Sequence, residues 1–134
     1  MANEALFTQV DSELQQILDE LSSREPIFHT KRFGSSFEDF ERGTAPDFWE
    51  VGASGTVYQR ERVWEVLEQR YNDPAYVDEW VTSDFFCREL SADTYLLTYV
   101  LHEGDRITRR ATVWRREGQI WQVVYHQGTI VHDA

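Results

Sequence analysis

TYLLTYVLH (94–102), RITRRATVWRR (106–116) and IWQVVYHQGTIV (120–131) follow one another along the chain, with EWVTSDFFCREL (79–90) ahead of them. All four runs are rich in β-branched and aromatic residues and read as strands. The links between them are short: Ser91-Ala92-Asp93, Glu103-Gly104-Asp105 and Glu117-Gly118-Gln119. Links of that length build antiparallel hairpins, so the C-terminal half is a meander of four long strands. Strands this long exceed the usual run of about five or six residues and must twist and curve strongly. They are also apolar on both faces in places. In 94–102, Tyr95, Leu97, Tyr99 and Leu101 point one way, while Leu96, Thr98 and Val100 point the other. One face therefore needs helices and the other a partner, of which a homodimer across the sheet is the simplest.

Working back towards the N-terminus, Gln59–Tyr71 carries Val63, Trp64, Val66, Leu67 and Tyr71 on one side and ends at Asn72-Asp73-Pro74, which predicts a helix. Asp47–Val51 and Thr56–Tyr58 read as short strands around a turn at Gly52 and Ser54-Gly55. Residues 27–46 read as irregular, with one helical turn at Ser36–Arg42. Asn3–Ser23 reads as a helix, because Leu6, Val10, Leu14, Ile17, Leu18 and Leu21 recur at three- and four-residue steps and Pro26 stops the run. No linker or repeat divides the chain, so residues 1–134 are expected to form a single domain of the α+β class.

The totals narrow the function. A net charge of -11, from 13 basic and 24 acidic residues, argues against nucleic acid and against an anionic membrane surface. Residues 1–14 lack a basic start and an apolar run, so no secretory signal is expected, and no stretch is long and apolar enough to span a membrane. The one cysteine, Cys87, allows no internal disulfide and fits a reducing, cytoplasmic setting; it reads as a small buried hydrophobe rather than a catalytic thiol. His29, His102, His126 and His132 show no metal-ligand spacing, and phosphate loops, nucleotide fingerprints and nucleophile elbows are absent. Neither a metal nor an organic cofactor is expected.

Two passages resemble a known superfamily. Phe48-Trp49-Glu50-Val51-Gly52-Ala53-Ser54-Gly55 resembles the early strand and turn of nuclear transport factor 2-like proteins, in their SnoaL-like and uncharacterised bacterial branches. Arg109-Arg110-Ala111-Thr112-Val113-Trp114, followed by Trp121–Thr129, is similar to the superfamily's last two strands and to the association domain of calmodulin-dependent kinases. The resemblance covers nearly the whole chain. It implies a cone: a strongly curved antiparallel sheet wrapped around a long N-terminal helix, with a cavity at the open end and a dimer across the sheet. It implies little about function, since this fold hosts isomerases, cyclases, dehydratases, binding modules and assembly domains.

Candidate site residues follow from their settings. Glu50 lies in an apolar strand beside Phe48, Trp49 and Val51, where burial raises a carboxyl's proton affinity as acid–base work requires. Its plain alternative is an outward or arginine-paired glutamate. His126 sits in an apolar strand, in phase with Val124 and Gly128, as an acid–base group or as a satisfied core histidine. Arg109 and Arg110 face opposite ways, and Arg110, in phase with Thr112 and Trp114, is the better candidate to clamp a ligand carboxylate. Trp49, Tyr99, Thr112 and Trp114 are candidate lining, with Tyr95 beside them; each aromatic has simple core packing as its alternative.

Three functions compete on these residues. The first is a small-molecule-binding or accessory domain for a small organic acid or aromatic ligand. The second is a cofactor-independent SnoaL-like enzyme, an isomerase, cyclase or dehydratase using Glu50 and His126. The third is a protein-interaction or assembly domain suited to a basic partner.

Overall fold

The computed structural model describes residues 12–132. Helix α1 spans Ser12–Ser22. The earlier part of the helix expected from Asn3, with Leu6 and Val10, lies outside the described residues. Within α1, Leu21 is fully buried, and Leu14, Ile17 and Leu18 pack against the core. A 3-10 turn at Lys31–Phe33 leads to helix α2, Phe37–Gly43, in the stretch expected to be mostly irregular. A capping box explains α2: the Ser36 hydroxyl accepts from the Asp39 backbone N–H while the Asp39 carboxylate accepts from the Ser36 N–H.

Strand β1 spans Thr44–Val51, β2 Val57–Gln59, and helix α3 Arg60–Tyr71. The long strands are β3 (Val81–Ser91), β4 (Thr94–Glu103), β5 (Arg106–Glu117) and β6 (Ile120–Ile130). The connecting turns are tighter than expected, and Asp93, Gly104 and Gly118 take positive φ within them. β1 begins three residues earlier than Asp47, with Pro46 inside it. The pairing to β6 shifts register between Thr44 and Trp49, and an irregularity of that kind is where a strand tolerates a residue with no N–H.

The six strands form one curled, unclosed sheet in the order β2-β1-β6-β5-β4-β3. The meander is antiparallel as expected. The junction of β1 with β6 is parallel, so the sheet is not antiparallel throughout. A helix and four strands intervene between those two, which supplies the long crossover that parallel neighbours require. The helices lie within the curl. Between them and the inner sheet face sit Phe28, Phe40, Phe48, Val63, Leu67, Tyr95, Leu97, Tyr99, Trp114, Trp121 and Val123, all buried. This is an α+β fold with a strongly curved sheet around the N-terminal helix.

A bulge sets the inner face of β6. Val113 pairs with Tyr125, but Trp114 pairs with Val123, so one residue of β6 is extra. The bulge resets the alternation. Trp121 and Val123 therefore share the inner face with His126 and Gly128, and Val124, expected in phase with His126, is the extra residue of the bulge, partly buried against the core.

Candidate functional site

The register aligns three strands into one row. Glu50 of β1 stands opposite His126 of β6, and His126 stands opposite Thr112 of β5. Arg110 stands opposite Gly128 in the next row. All five point inward, since Phe48 and Thr108 of the same phases are buried. Above them opens a cavity of about 370 Å³, within the range of small-molecule sites. Glu50, Arg110 and His126 form its floor. Ile27, Phe28, Tyr58, Val63, Val66 and Leu67 give an apolar wall, and His29, Arg70, Tyr76, Glu103 and Arg106 stand with them around the rest of it.

Arg110 is held from several sides. Its Nε donates to Thr108 Oγ1 at 2.9 Å, Nη1 lies 3.5 Å from His126 Nε2, and Nη2 lies 3.8 Å from Glu103 Oε1. Gly128 makes the room: a Cβ there would meet the Arg110 guanidinium at 3.1 Å. Arg109 points to the outer face, as strand alternation requires once Arg110 is inside. Arg70 reaches the cavity from α3 with its guanidinium 5.1 Å from the centre of the Tyr76 ring.

Burial raises the Glu50 carboxyl above its ordinary range, while Arg110 and Arg70 pull it back. His126 is buried, with only its edge reaching the cavity. Burial, then Arg110, then His29 hold its imidazole down to about 3, so it is neutral. Its Nδ1 lies 2.8 Å from Thr112 Oγ1. His29 is also lowered, chiefly by burial, against the pull of Asp78, whose Oδ2 is 2.8 Å from Nδ1.

The four expected lining residues lie elsewhere. Trp49 is on the outer face, 44% exposed and against Tyr125, because alternation turns it out when Glu50 turns in. Tyr99, Thr112 and Trp114 are buried in a layer beneath the cavity. There they converge on Glu25, a residue that sequence reasoning missed. Glu25 Oε1 accepts from Tyr99 Oη at 2.8 Å and from the Ile27 N–H at 2.7 Å; Oε2 accepts from Trp114 Nε1 at 3.0 Å. Thr112 is a further hydrogen-bond partner, and burial raises the Glu25 carboxyl against all four of these bonds. Tyr95 is likewise core, edge-on to Trp121. Cys87 is half-buried against the core, and burial pushes its thiol up to about 11, which keeps it protonated and inert.

His29, Asp78 and Glu103 were also missed. Each offers one ligand atom, all within 4.8 Å of one another. Their separations of 49 and 25 positions carry no ligand spacing, so only the tertiary fold assembles them. The arrangement suits a hydrogen-bonded His–Asp pair better than a dication, because Arg70, Arg106 and Arg110 line the same cavity and oppose added positive charge. No helix among the described residues is long and apolar enough to cross a membrane.

No protein-family model matches the chain. A methionine–tRNA ligase of Acanthamoeba polyphaga mimivirus is 36% identical over 66 residues, which is 47% of this chain and 12% of the ligase. The chain thus spans a small fraction of that relative's length. Solved structures match far more of it. A nuclear transport factor 2-like protein of Cytophaga hutchinsonii superposes with a TM-score of 0.67 at 18% identity, covering 90% of this chain and 99% of that one. A calcium/calmodulin-dependent kinase II association-domain-like protein of Exiguobacterium sibiricum gives a TM-score of 0.62 at 16% identity, covering 92% and 97%. A protein with a cystatin-like fold from Caulobacter vibrioides gives 0.63 at 15%, covering 87% of each chain. The fold is that of the nuclear transport factor 2-like superfamily, and several of its neighbours are themselves of unknown function.

Proposed function

We propose that the chain, with residues 1–134 acting as one unit, is a binding or accessory domain whose cavity takes a small organic anion. The observation that carries this is the charge around the cavity. Arg70, Arg106 and Arg110 face Glu50 and Glu103, while buried His126 is neutral. Asp78, 2.8 Å from His29, balances part of this, but Glu50 beside Arg110 is held above the ordinary carboxyl range and offsets that guanidinium weakly. Arg110 presents donors that suit a carboxylate, and the aromatic and aliphatic wall suits the ligand's carbon skeleton. An open cavity also weighs against a cone plugged for assembly alone. In this reading a second copy covers the outer sheet face, where Ala111, Thr98, Gln127 and Thr129 line a shallow groove.

The test is a thermal-shift screen against small carboxylic acids, both aliphatic and aromatic. A ligand at one hundred times its Kd adds about 2.7 kcal/mol of stability. Arg110→Met should abolish the shift of any hit. A blank screen with a folded protein would defeat the anion reading.

A second reading, a cofactor-independent acid–base enzyme, is favoured by Glu50 alone. Its proton affinity is raised and it sits in register with His126 beside a guanidinium that can hold a developing anion. Turnover of a hit compound, lost in Glu50→Gln, would support it.

A further inference from the structure

The groups below the cavity floor form a chain with one direction. Arg110 is a donor without any acceptor, and its Nη1 faces His126 Nε2 at 3.5 Å. An N–H at Nε2 would point at another N–H, so Nε2 carries the lone pair and Nδ1 the proton. That proton lies on Thr112 Oγ1, 2.8 Å away. Thr112 thereby accepts from His126 and has its own O–H left to donate elsewhere. Both donors in the series, Arg110 and His126, point the same way, towards Thr112.

We propose that Thr112 and Arg110 fix His126 as its Nδ1–H tautomer, so that the cavity offers a bare imidazole nitrogen beside a guanidinium and selects a small 2-hydroxy carboxylate. The carboxylate engages Arg110. The hydroxyl donates to His126 Nε2. The two protein atoms stand 3.5 Å apart, a separation that a hydroxyl on the carbon next to the carboxylate can bridge. The Arg110 contact to Nε2 is at the long limit for a hydrogen bond, so a ligand hydroxyl at ordinary length replaces it favourably. An acid without that hydroxyl leaves the buried lone pair without a better partner. Thr112 is a positioning residue here and does not touch the ligand. The ligand half of this inference rests on the anion reading above; the tautomer half does not.

Two measurements test it. In protein labelled with 15N-histidine, the His126 signals are assigned by their loss in His126→Gln. The expected spectrum has a pyridine-type Nε2 and a pyrrole-type Nδ1, unchanged from about pH 8 to about pH 5. Thr112→Val should give a mixture of tautomers, and Thr112→Ser should restore the single form. A pyrrole-type Nε2 in the unmodified protein overturns the proposal, whatever the variants do. Binding is then compared for mandelate and phenylacetate, which differ by the one hydroxyl. Mandelate should bind about tenfold more tightly, and the ratio should shrink towards one in Thr112→Val but not in Thr112→Ser. Equal affinities would overturn the ligand half while leaving the anion reading intact. If no carboxylate binds, the ligand half falls with the anion reading, and the spectrum still decides the tautomer.

Discussion

Glu50 and His126 are direct neighbours across the parallel junction of β1 and β6, one carboxyl with raised proton affinity beside one imidazole held neutral. They are 76 residues apart in the chain, and both turn inward over the same cavity. Neither carries a full charge easily there, so the fixed charge of the floor is that of Arg110. The predictions below follow from this division of roles.

Glu50→Gln should tighten anion binding by several-fold while leaving the fold unchanged. The substitution keeps the shape and removes a carboxylate that competes for Arg110 and Arg70, both of which act on it electrostatically. Titration calorimetry with any carboxylate hit is the check. Weaker binding would mean that Glu50 itself holds the ligand.

Gly128→Ala should weaken anion binding by about tenfold through displacement of Arg110. The new methyl would press on the Arg110 guanidinium at 3.1 Å, and the Thr108 and His126 contacts limit how far that group can move. Overpacking of this kind costs about 1–3 kcal/mol of stability as well. Unchanged affinity would show that Arg110 has slack or does not contact the ligand.

Glu25→Ala should destabilise the fold by about 3 kcal/mol or more, because the Tyr99 hydroxyl, the Trp114 Nε1–H and the Ile27 N–H lose their acceptor in a dry core. Urea unfolding followed by tryptophan fluorescence measures this directly. A loss below about 1 kcal/mol would imply that water replaces the carboxylate.

The pH dependence has two opposed parts. His126 is held down to about 3 in the fold against an ordinary 6.5. Below 6.5 the unfolded chain takes up the proton and the folded one does not, so this contribution to stability is lost as pH falls from 6.5 towards about 3. The slope reaches about 1.4 kcal/mol per pH unit. Glu25 and Glu50 act in the other sense: burial raises both, so their contributions are full below the ordinary carboxyl range and are lost as pH rises through the raised values. Stability curves for the unmodified protein and His126→Gln should therefore converge on acidification below about pH 6.5. Parallel curves would show that His126 titrates normally in the fold.

Ala111→Arg should convert a dimer to a monomer in sedimentation equilibrium with the thermal midpoint of the monomer fold retained. Ala111 lies on the outer face of the central strand β5, between Thr98 and Gln127. A monomeric unmodified protein would refute the dimer at once.

The chain's own residues determined the elements. Local chemistry sufficed where strand runs alternate with two-residue turns, or where Pro74 follows a helix, because those signals act over a few neighbouring residues. Alternation alone also placed Arg110 and Arg109 on opposite faces, since that rule needs no partner strand. The signal for α2 was equally local: the helical turn expected at Ser36–Arg42 is where the helix forms, capped by Ser36. The tertiary structure decided what no local rule contains. The β6 bulge changed the phase of Val124 relative to His126, and a bulge exists only in a pairing with a particular neighbour. The parallel docking of β1 brought Glu50 against His126. Tyr99, Thr112 and Trp114 were recognisable as inward-facing, but whether they line the cavity or lie beneath it depends on how far the curl of the sheet closes over them. Glu25 gave no sign in the sequence, for a carboxylate beside a proline resembles any surface loop. Its role comes from donors 74 and 89 residues away on two strands, with Ile27 of its own loop, and burial turns such groups into one network only once the chain has closed around them.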